Sequence, residues 1–401
     1  MGFRDQPIVV ALELGTTKTR ALVGELREDN HLMLLGLGEA PSQGIRKSEI
    51  IDFDAALAGA EYAIAQAEEN AKVGIKQVNL LVSGGNLRTI MNSASIPLED
   101  GGEITREDVS HVLEVARTVN LPEDYELVHS IPQSFTINDQ TEVLNPTGLE
   151  GDKIGVKMLI LYASSVWLRN LVKVAKSASV DVEIIAASGL CAALAVLAPE
   201  EKQQGAVVID LGGGSTNYIA YARQTIAAAG SFAVGGDHLT NDLARGLKIT
   251  LSQAERLKEQ CGSAVIDLRR RGEHIELTPE SSGRGRYVRL GDLQTITHHR
   301  MEETLSLVRD ELERKELLHH LGRGVVLTGG GAYLRGVTEL AERVFNLPCQ
   351  LGQPKDVSGV ALATDGPQYA SAIGLLRMAA QQNSRRKPKI LSFLGSFLGN
   401  R

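Results

Sequence analysis

An α/β fold of two related halves, the first interrupted by a compact α/β insert, is expected from three features of the chain. A strand, Gly-rich turn, strand unit at residues 7–26 returns at 205–226. A third Gly turn follows at 325–334. Between about 84 and 162 the texture changes to a self-contained mixture of helix and strand signals. The chain has 401 residues, too many for one ordinary core, so two or more domains are expected.

The elements follow in order. Residues 7–26 carry two apolar runs around Gly15-Thr16-Thr17, which reads as strand, tight turn, strand. Residues 54–72 read as a helix, with Leu57, Tyr62 and Ile64 among many alanines, and Val78 to Val82 as a strand ended by Gly84-Gly85. In the insert, Thr105 is expected to cap a helix reaching about Asn120, with Asp108 three residues later. Strands are expected around 126–130, 134–138 and 154–162, and a helix at 165–178. The second unit, 205–226, again places hydroxyls in its Gly turn, and Glu13 and Asp210 occupy matching places before the two turns. Residues 267–290, polar and rich in Arg and Gly, read as a surface loop or hairpin. Residues 381–389 read as a flexible basic linker, followed by a short apolar pattern at 390–401.

Composition narrows the function classes. The chain is 43% hydrophobic and 23% charged, as globular proteins are, and no window approaches the ~18 apolar residues of a spanning helix. The N-terminus has no export pattern, and Gln6 stands where a myristoylation motif wants Ser or Thr. Cys191, Cys261 and Cys349 are odd in number and far apart, which argues against a disulfide framework or thiolate metal site and fits a reducing cytoplasm. A net charge of −7 argues against nucleic acid as a partner.

A hairpin tip of Gly and Thr exposes backbone N–H groups and hydroxyls, a concavity suited to phosphate oxygens. The carboxylate just before each turn points into the same gap, and two facing carboxylates there would hold Mg²⁺ through its waters. One Gly-rich turn alone is commonly just a tight turn. Three, two of them with a matched acid and Thr, call for a common ligand.

These motifs carry a resemblance. Leu12-Glu13-Leu14-Gly15-Thr16-Thr17-Lys18 resembles the first phosphate motif of actin, sugar kinases and chaperone ATPases. Asp210-Leu211-Gly212-Gly213-Gly214-Ser215-Thr216 resembles their second phosphate motif, and Thr328-Gly329-Gly330-Gly331 their adenosine motif. Ser83-Gly84-Gly85-Asn86, Thr105-Arg106-Glu107-Asp108, His129-Ser130-Ile131-Pro132-Gln133 and Asn145-Pro146-Thr147-Gly148 resemble the distinctive first-half subdomain of the FtsA family of bacterial cell-division proteins, an insert that the pilus-assembly protein PilM shares without a tail like residues 390–401.

That resemblance implies an actin-like two-domain fold with duplicated ribonuclease-H-like halves and an FtsA-type insert. The first half would comprise 1–83 and 163–200, the insert 84–162, and the second half 201–380 with a smaller subdomain at about 240–300. It implies ATP and Mg²⁺ as cofactors, with Glu13 and Asp210 at the metal. Gly235-Gly236-Asp237 would close over the phosphates, and Glu255 and Lys258, three apart on one helix face, would contact adenosine. Taken alone, that pair is commonly a surface ion pair.

Two positions depart from the hydrolytic relatives. Position 13 is Glu rather than Asp, and Ile185 to Cys191 offers no Glu or Gln where those relatives position water. Slow or absent ATPase activity is therefore expected, and no catalytic residue is assigned.

The tail carries a second signal. At 100° per residue, Ile390, Leu391, Phe393, Leu394, Phe397 and Leu398 share an arc of roughly 160°. Arg385, Arg386, Lys387 and Lys389 precede them. An apolar face with a basic flank is the pattern of an interfacial helix on anionic lipid. The same pattern also suits a terminal helix docked on its own core. One copy would bind weakly; several in a protofilament would bind by avidity.

The resemblance implies self-association, tethering of the division tubulin homologue FtsZ by its C-terminal peptide, contacts with other division proteins, and residence on the cytoplasmic face of the inner membrane at the division site. Arg300 matches a family position near the FtsZ contact, though a plain surface Arg is an equal reading. The alternatives are a PilM-like pilus adaptor and a sugar or acetate kinase. Such a kinase would need a substrate-cleft acid or base, which no motif supplies, and has no use for the tail.

Overall fold

The computed structural model describes residues 8–386 except 28, 99–101, 278–285 and 361–365. The apolar run Ile8–Leu14 and its return strand Lys18–Leu26 sit inside a six-stranded sheet. Its order is Asp181–Ala187, Gln77–Val82, Ile8–Leu14, Lys18–Leu26, Leu32–Pro41, Val357–Gly359. Three neighbours joined by short connections are antiparallel, and the strands Ile8–Leu14, Gln77–Val82 and Asp181–Ala187 are parallel. Parallel neighbours need a crossover, which the helices Phe53–Ala71 and Ser165–Ser177 provide. The second half repeats the path: Thr225–Phe232, Thr216–Ala222, Ala206–Leu211, Gly324–Thr328, Cys349–Leu351, with the same directions. A duplication faint in residue identity is complete in topology.

Local chemistry sets the helix positions. Asp52 caps Phe53–Ala71 by accepting from the Ala55 N–H at 3.1 Å. The alanine face of that helix lies close on strand Leu32–Pro41. A Cβ on Gly36 would stand 2.7 Å from the Ala71 Cβ, so glycine is what permits the approach. Each half has an outer core, around Val10, Ala60 and Leu80 in the first and Ile209, Leu305 and Leu340 in the second. A further core spans both halves: Leu22, Leu190, Val208, Ile373 and Leu376 pack together. There helix Ser188–Val196 meets helix Ala370–Arg386 so tightly that Gly374 lies against the Cys191 carbonyl.

The insert is a four-stranded sheet, Leu87–Pro97, Lys153–Ser164, Tyr125–Ile137, Thr141–Val143. Helix Arg106–Arg117 backs it over Ile104, Val112, Ile154 and Met158. Thr105 and Asp108 form a reciprocal capping box, with Asp108 N–H to Thr105 Oγ1 at 3.2 Å and Thr105 N–H to Asp108 Oδ2 at 2.9 Å. The helix ends three residues before the expected Asn120.

Several expectations are corrected. The strands expected at 126–130 and 134–138 are one strand, Tyr125–Ile137. Its pairing with Lys153–Ser164 skips Gln133, so Pro132 sits at a bulge that accommodates a missing N–H. Strand Leu87–Pro97 was not anticipated. The 201–380 segment is not wholly second-half, because Val357–Gly359 pairs in parallel with Leu32–Leu34 of the first sheet. The linker expected over 381–389 is helical at its start: helix Ala370–Arg386 continues through its first six positions, and 387–389 lie outside the described residues. Gln and Arg are good helix formers, so polar composition there does not by itself mark coil. The six apolar tail residues from Ile390 to Leu398 lie outside the described residues.

The smaller subdomain has its own core of Leu239, Leu243, Leu257, Val288 and Leu293. It comprises helices Gly236–Leu247 and Leu251–Cys261, the hairpin His274–Leu277 with Arg286–Arg289, and the start of helix Leu290–Arg314. Among the described residues no helix is long and apolar enough to cross a membrane.

Candidate functional site

Between the halves lies a cleft of about 410 Å³, within the range of small-ligand sites. The two duplicated hairpins meet in it tip to tip. Each tip closes with the same bond: Gly15 N–H to Lys18 O at 3.2 Å, and Gly212 N–H to Ser215 O at 2.9 Å. The tips interlock. A Cβ on Gly213 would run into the Thr17 hydroxyl, and one on Gly214 into the Thr16 hydroxyl, with the Lys47 Cα 2.9 Å away. Helix Gly236–Leu247 begins against the second tip, where Gly236 N–H donates to Gly212 O at 3.0 Å. Oriented N–H groups, hydroxyls and a helix N-terminus converge there, a combination suited to phosphate.

The matched acids differ in setting. In one hairpin Glu13 stands opposite Arg20; in the other Asp210 stands opposite Asn217. Arg20 Nη1 lies 3.2 Å from Glu13 Oε2, and its Nε lies 2.7 Å from Glu39 Oε1. Asp210 is buried and accepts from the Ser371 hydroxyl at 3.2 Å. Burial, and then the charge of Glu13, push its carboxyl up to about 6. A buried acid with a second carboxylate in the same cleft suits a divalent cation, whose charge would offset the burial penalty of Asp210.

At the other end, Glu255 and Lys258 share one face of helix Leu251–Cys261 and pair at 2.7 Å, with Thr240 Oγ1 bridging to both. Gly329, Gly330 and Gly331 form the opposite wall. Gly329, at φ +81°, lies so close to Asp210 that a Cβ would stand 2.5 Å from Oδ1, and a Cβ on Gly330 would meet open space. The cleft thus offers an anionic-ligand end and a backbone-walled end, and its donor set fits a nucleoside phosphate with a divalent cation.

Of the residues singled out from sequence, Glu13, Gly15, Thr16, Thr17, Lys18, Asp210, Gly212, Gly213, Gly214, Ser215 and Thr216 all line this cleft, as do Gly235, Gly236, Glu255, Lys258 and the Gly329–331 turn. Asp237 does not line it; its N–H donates to Gly213 O of the second tip at 2.8 Å. Arg300 also reaches the cleft, already held by Asp242 at 2.5 Å and Glu303 at 2.6 Å. Ser188 lines the cleft where a water-positioning acid was sought. Among the described residues the carboxylates on its wall are Glu13, Asp210, Glu255 and Glu259.

Sequence reading missed Arg20, Glu259, Tyr333 and Ser371. Arg20 carried a signal, an Arg inside an otherwise apolar strand. Glu259 stands one helical turn beyond Glu255 and could have been found by that spacing. Ser371 had no signal, because only tertiary packing brings it to Asp210.

Comparisons with known proteins now bear on this geometry. Residues 207–374 match the family model described as cell division protein FtsA, and residues 84–162 match that of the SHS2 domain inserted in FtsA. The chain is 31% identical to cell division protein FtsA of Neisseria meningitidis serogroup B over 382 residues, covering 94% of this chain and 91% of that one. With the protein of the same name from Escherichia coli K12 it shares 30% identity, covering 94% and 92%. Among solved structures, the PilM–PilN type IV pilus biogenesis complex matches with a TM-score of 0.64 at 16% identity, covering 93% of this chain and 98% of that one. MreB5 of Spiroplasma citri bound to ADP matches with a TM-score of 0.55 at 17% identity, covering 95% and 99%. These structural likenesses show the actin-like fold.

Proposed function

Because the chain belongs to the FtsA family of cell-division proteins, we propose that it is a nucleotide-dependent membrane scaffold that tethers FtsZ at the division site. The observation that carries the reading is the tip-to-tip meeting of Gly15–Lys18 and Gly212–Ser215 beside Glu13 and Asp210. In this reading the two tips and the Gly236 helix start hold the ATP phosphates. Asp210 and Glu13 hold Mg²⁺ through water, and Mg²⁺ neutralises phosphate charge when bound. Glu255, Lys258 and the Gly329–331 turn hold the nucleoside. The FtsZ peptide docks on the smaller subdomain near Arg300, and the 390–401 segment binds anionic lipid as copies associate side by side.

MreB5 was solved with ADP and with AMPPNP, which supports a nucleotide in an actin-like cleft. A pilus-adaptor role rests on a 16% likeness of fold, against 31% identity along nearly the whole chain to a cell-division protein. One experiment tests the whole reading: full-length protein with ATP and anionic vesicles should bring FtsZ to lipid in sedimentation. FtsZ left in the supernatant would overturn it.

A further inference from the structure

On helix Leu290–Arg314, three side chains that the nucleotide reading does not use lie near one another. His298, His299 and Glu302 each bring one potential ligand atom into the cluster, with all three atoms within 4.8 Å of one another. His298 Nε2 lies 3.9 Å from Glu302 Oε2, and His299 Nδ1 lies 3.6 Å from the same oxygen. Two ligands on one tetrahedral zinc stand about 3.3 Å apart, so small rotamer adjustments would close the set.

A second observation concerns the tautomer. His298 Nδ1 lies 2.6 Å from the Ala264 carbonyl oxygen. A carbonyl only accepts, so Nδ1 carries the proton. Nε2, the other ring nitrogen, is then the one on the side of Glu302. A ligating histidine whose other nitrogen donates to a backbone carbonyl is the usual way such a ring is oriented toward a metal.

We propose that His298, His299 and Glu302 form a binding site for a divalent transition metal, zinc by ligand type. Two imidazoles and one carboxylate suit Zn²⁺; Mg²⁺ and Ca²⁺ prefer all-oxygen sets. His299 and Glu302 are exposed, which leaves the outward coordination position to water. The site has a structural consequence. Ala264 belongs to the segment whose N–H donates to Arg335 O at 2.8 Å, while Arg300 and Met301, next along the helix, reach the cleft wall. Metal binding would stiffen the join between this helix and the nucleoside end of the cleft.

The test is calorimetric titration of nucleotide-free, full-length protein with ZnCl₂. The expected result, with excess MgCl₂ present throughout to compete at Glu13 and Asp210, is one bound equivalent that weakens at least tenfold in His299→Ala and in Glu302→Gln. Both positions are exposed, so folding should be unaffected, which the far-UV spectrum checks. His319→Ala, in the separate His319–His320 pair, should bind as wild type does. Equal affinity in all four proteins, or no zinc uptake by wild type, would overturn the site and leave the His298–Glu302 proximity an ordinary helix-surface contact.

Discussion

The Thr17 hydroxyl fills the space a side chain on Gly213 would need, so the two phosphate tips are fitted to each other across the cleft. Gly213→Ala should therefore force the tips apart, destabilising the protein by about 1–3 kcal/mol and weakening ATP binding. Gly330→Ala meets nothing within 4 Å. It should keep wild-type stability while its methyl, projecting into the cleft, weakens ATP binding. Thermal melts and calorimetry read the two effects separately. Equal behaviour of the two variants would contradict the geometry.

Asp210 gives a pH signature. Its carboxyl is pushed up to about 6 from an ordinary 3.8, by burial and then by Glu13. Between those values the folded chain keeps a proton that the unfolded chain has released. Raising the pH through this window should therefore withdraw stability from nucleotide-free protein, on the order of a few kcal/mol. Asp210→Asn should flatten that slope, melt higher than wild type at pH 7, and bind Mg²⁺-ATP at least about tenfold more weakly. Unchanged affinity would remove Asp210 from the metal.

Turnover should be slow. With Ser188 on the wall and no Glu or Gln between Ile185 and Cys191, phosphate release should stay below about one per second, well under a typical enzyme. Several turnovers per second would mean that a catalytic group had been overlooked.

Arg300 is already shared by Asp242 and Glu303. Arg300→Glu would crowd three carboxylates, so a lower melting temperature is expected together with weaker binding of an FtsZ C-terminal peptide, by about tenfold or more. Fluorescence anisotropy measures the second effect. Normal peptide affinity would take Arg300 out of the contact.

Phe393→Glu should abolish sedimentation with anionic vesicles while leaving ATP binding intact, since a charge would be forced toward the acyl boundary. Raising the salt should weaken wild-type binding only in part, through screening of Arg385, Arg386, Lys387 and Lys389. A variant that sediments as wild type does would place the anchor elsewhere.

The sequence by itself determined the α/β class, the duplicated hairpins, the insert and most of the cleft residues. Local rules suffice for these: a Gly turn between apolar runs, a capping box at Thr105, an acid before each tip. Only the tertiary structure decided what those residues face. That Arg20 neutralises Glu13, that Ser371 from the last helix reaches Asp210, and that Val357–Gly359 joins the first sheet all depend on contacts between distant segments. Strand Tyr125–Ile137 shows the same division: Pro132 reads locally as a break, and pairing with Lys153–Ser164 carries the strand through it with a bulge. Spacing along a chain fixes which face a side chain takes, whereas its partner across a cleft depends on packing that no local pattern encodes.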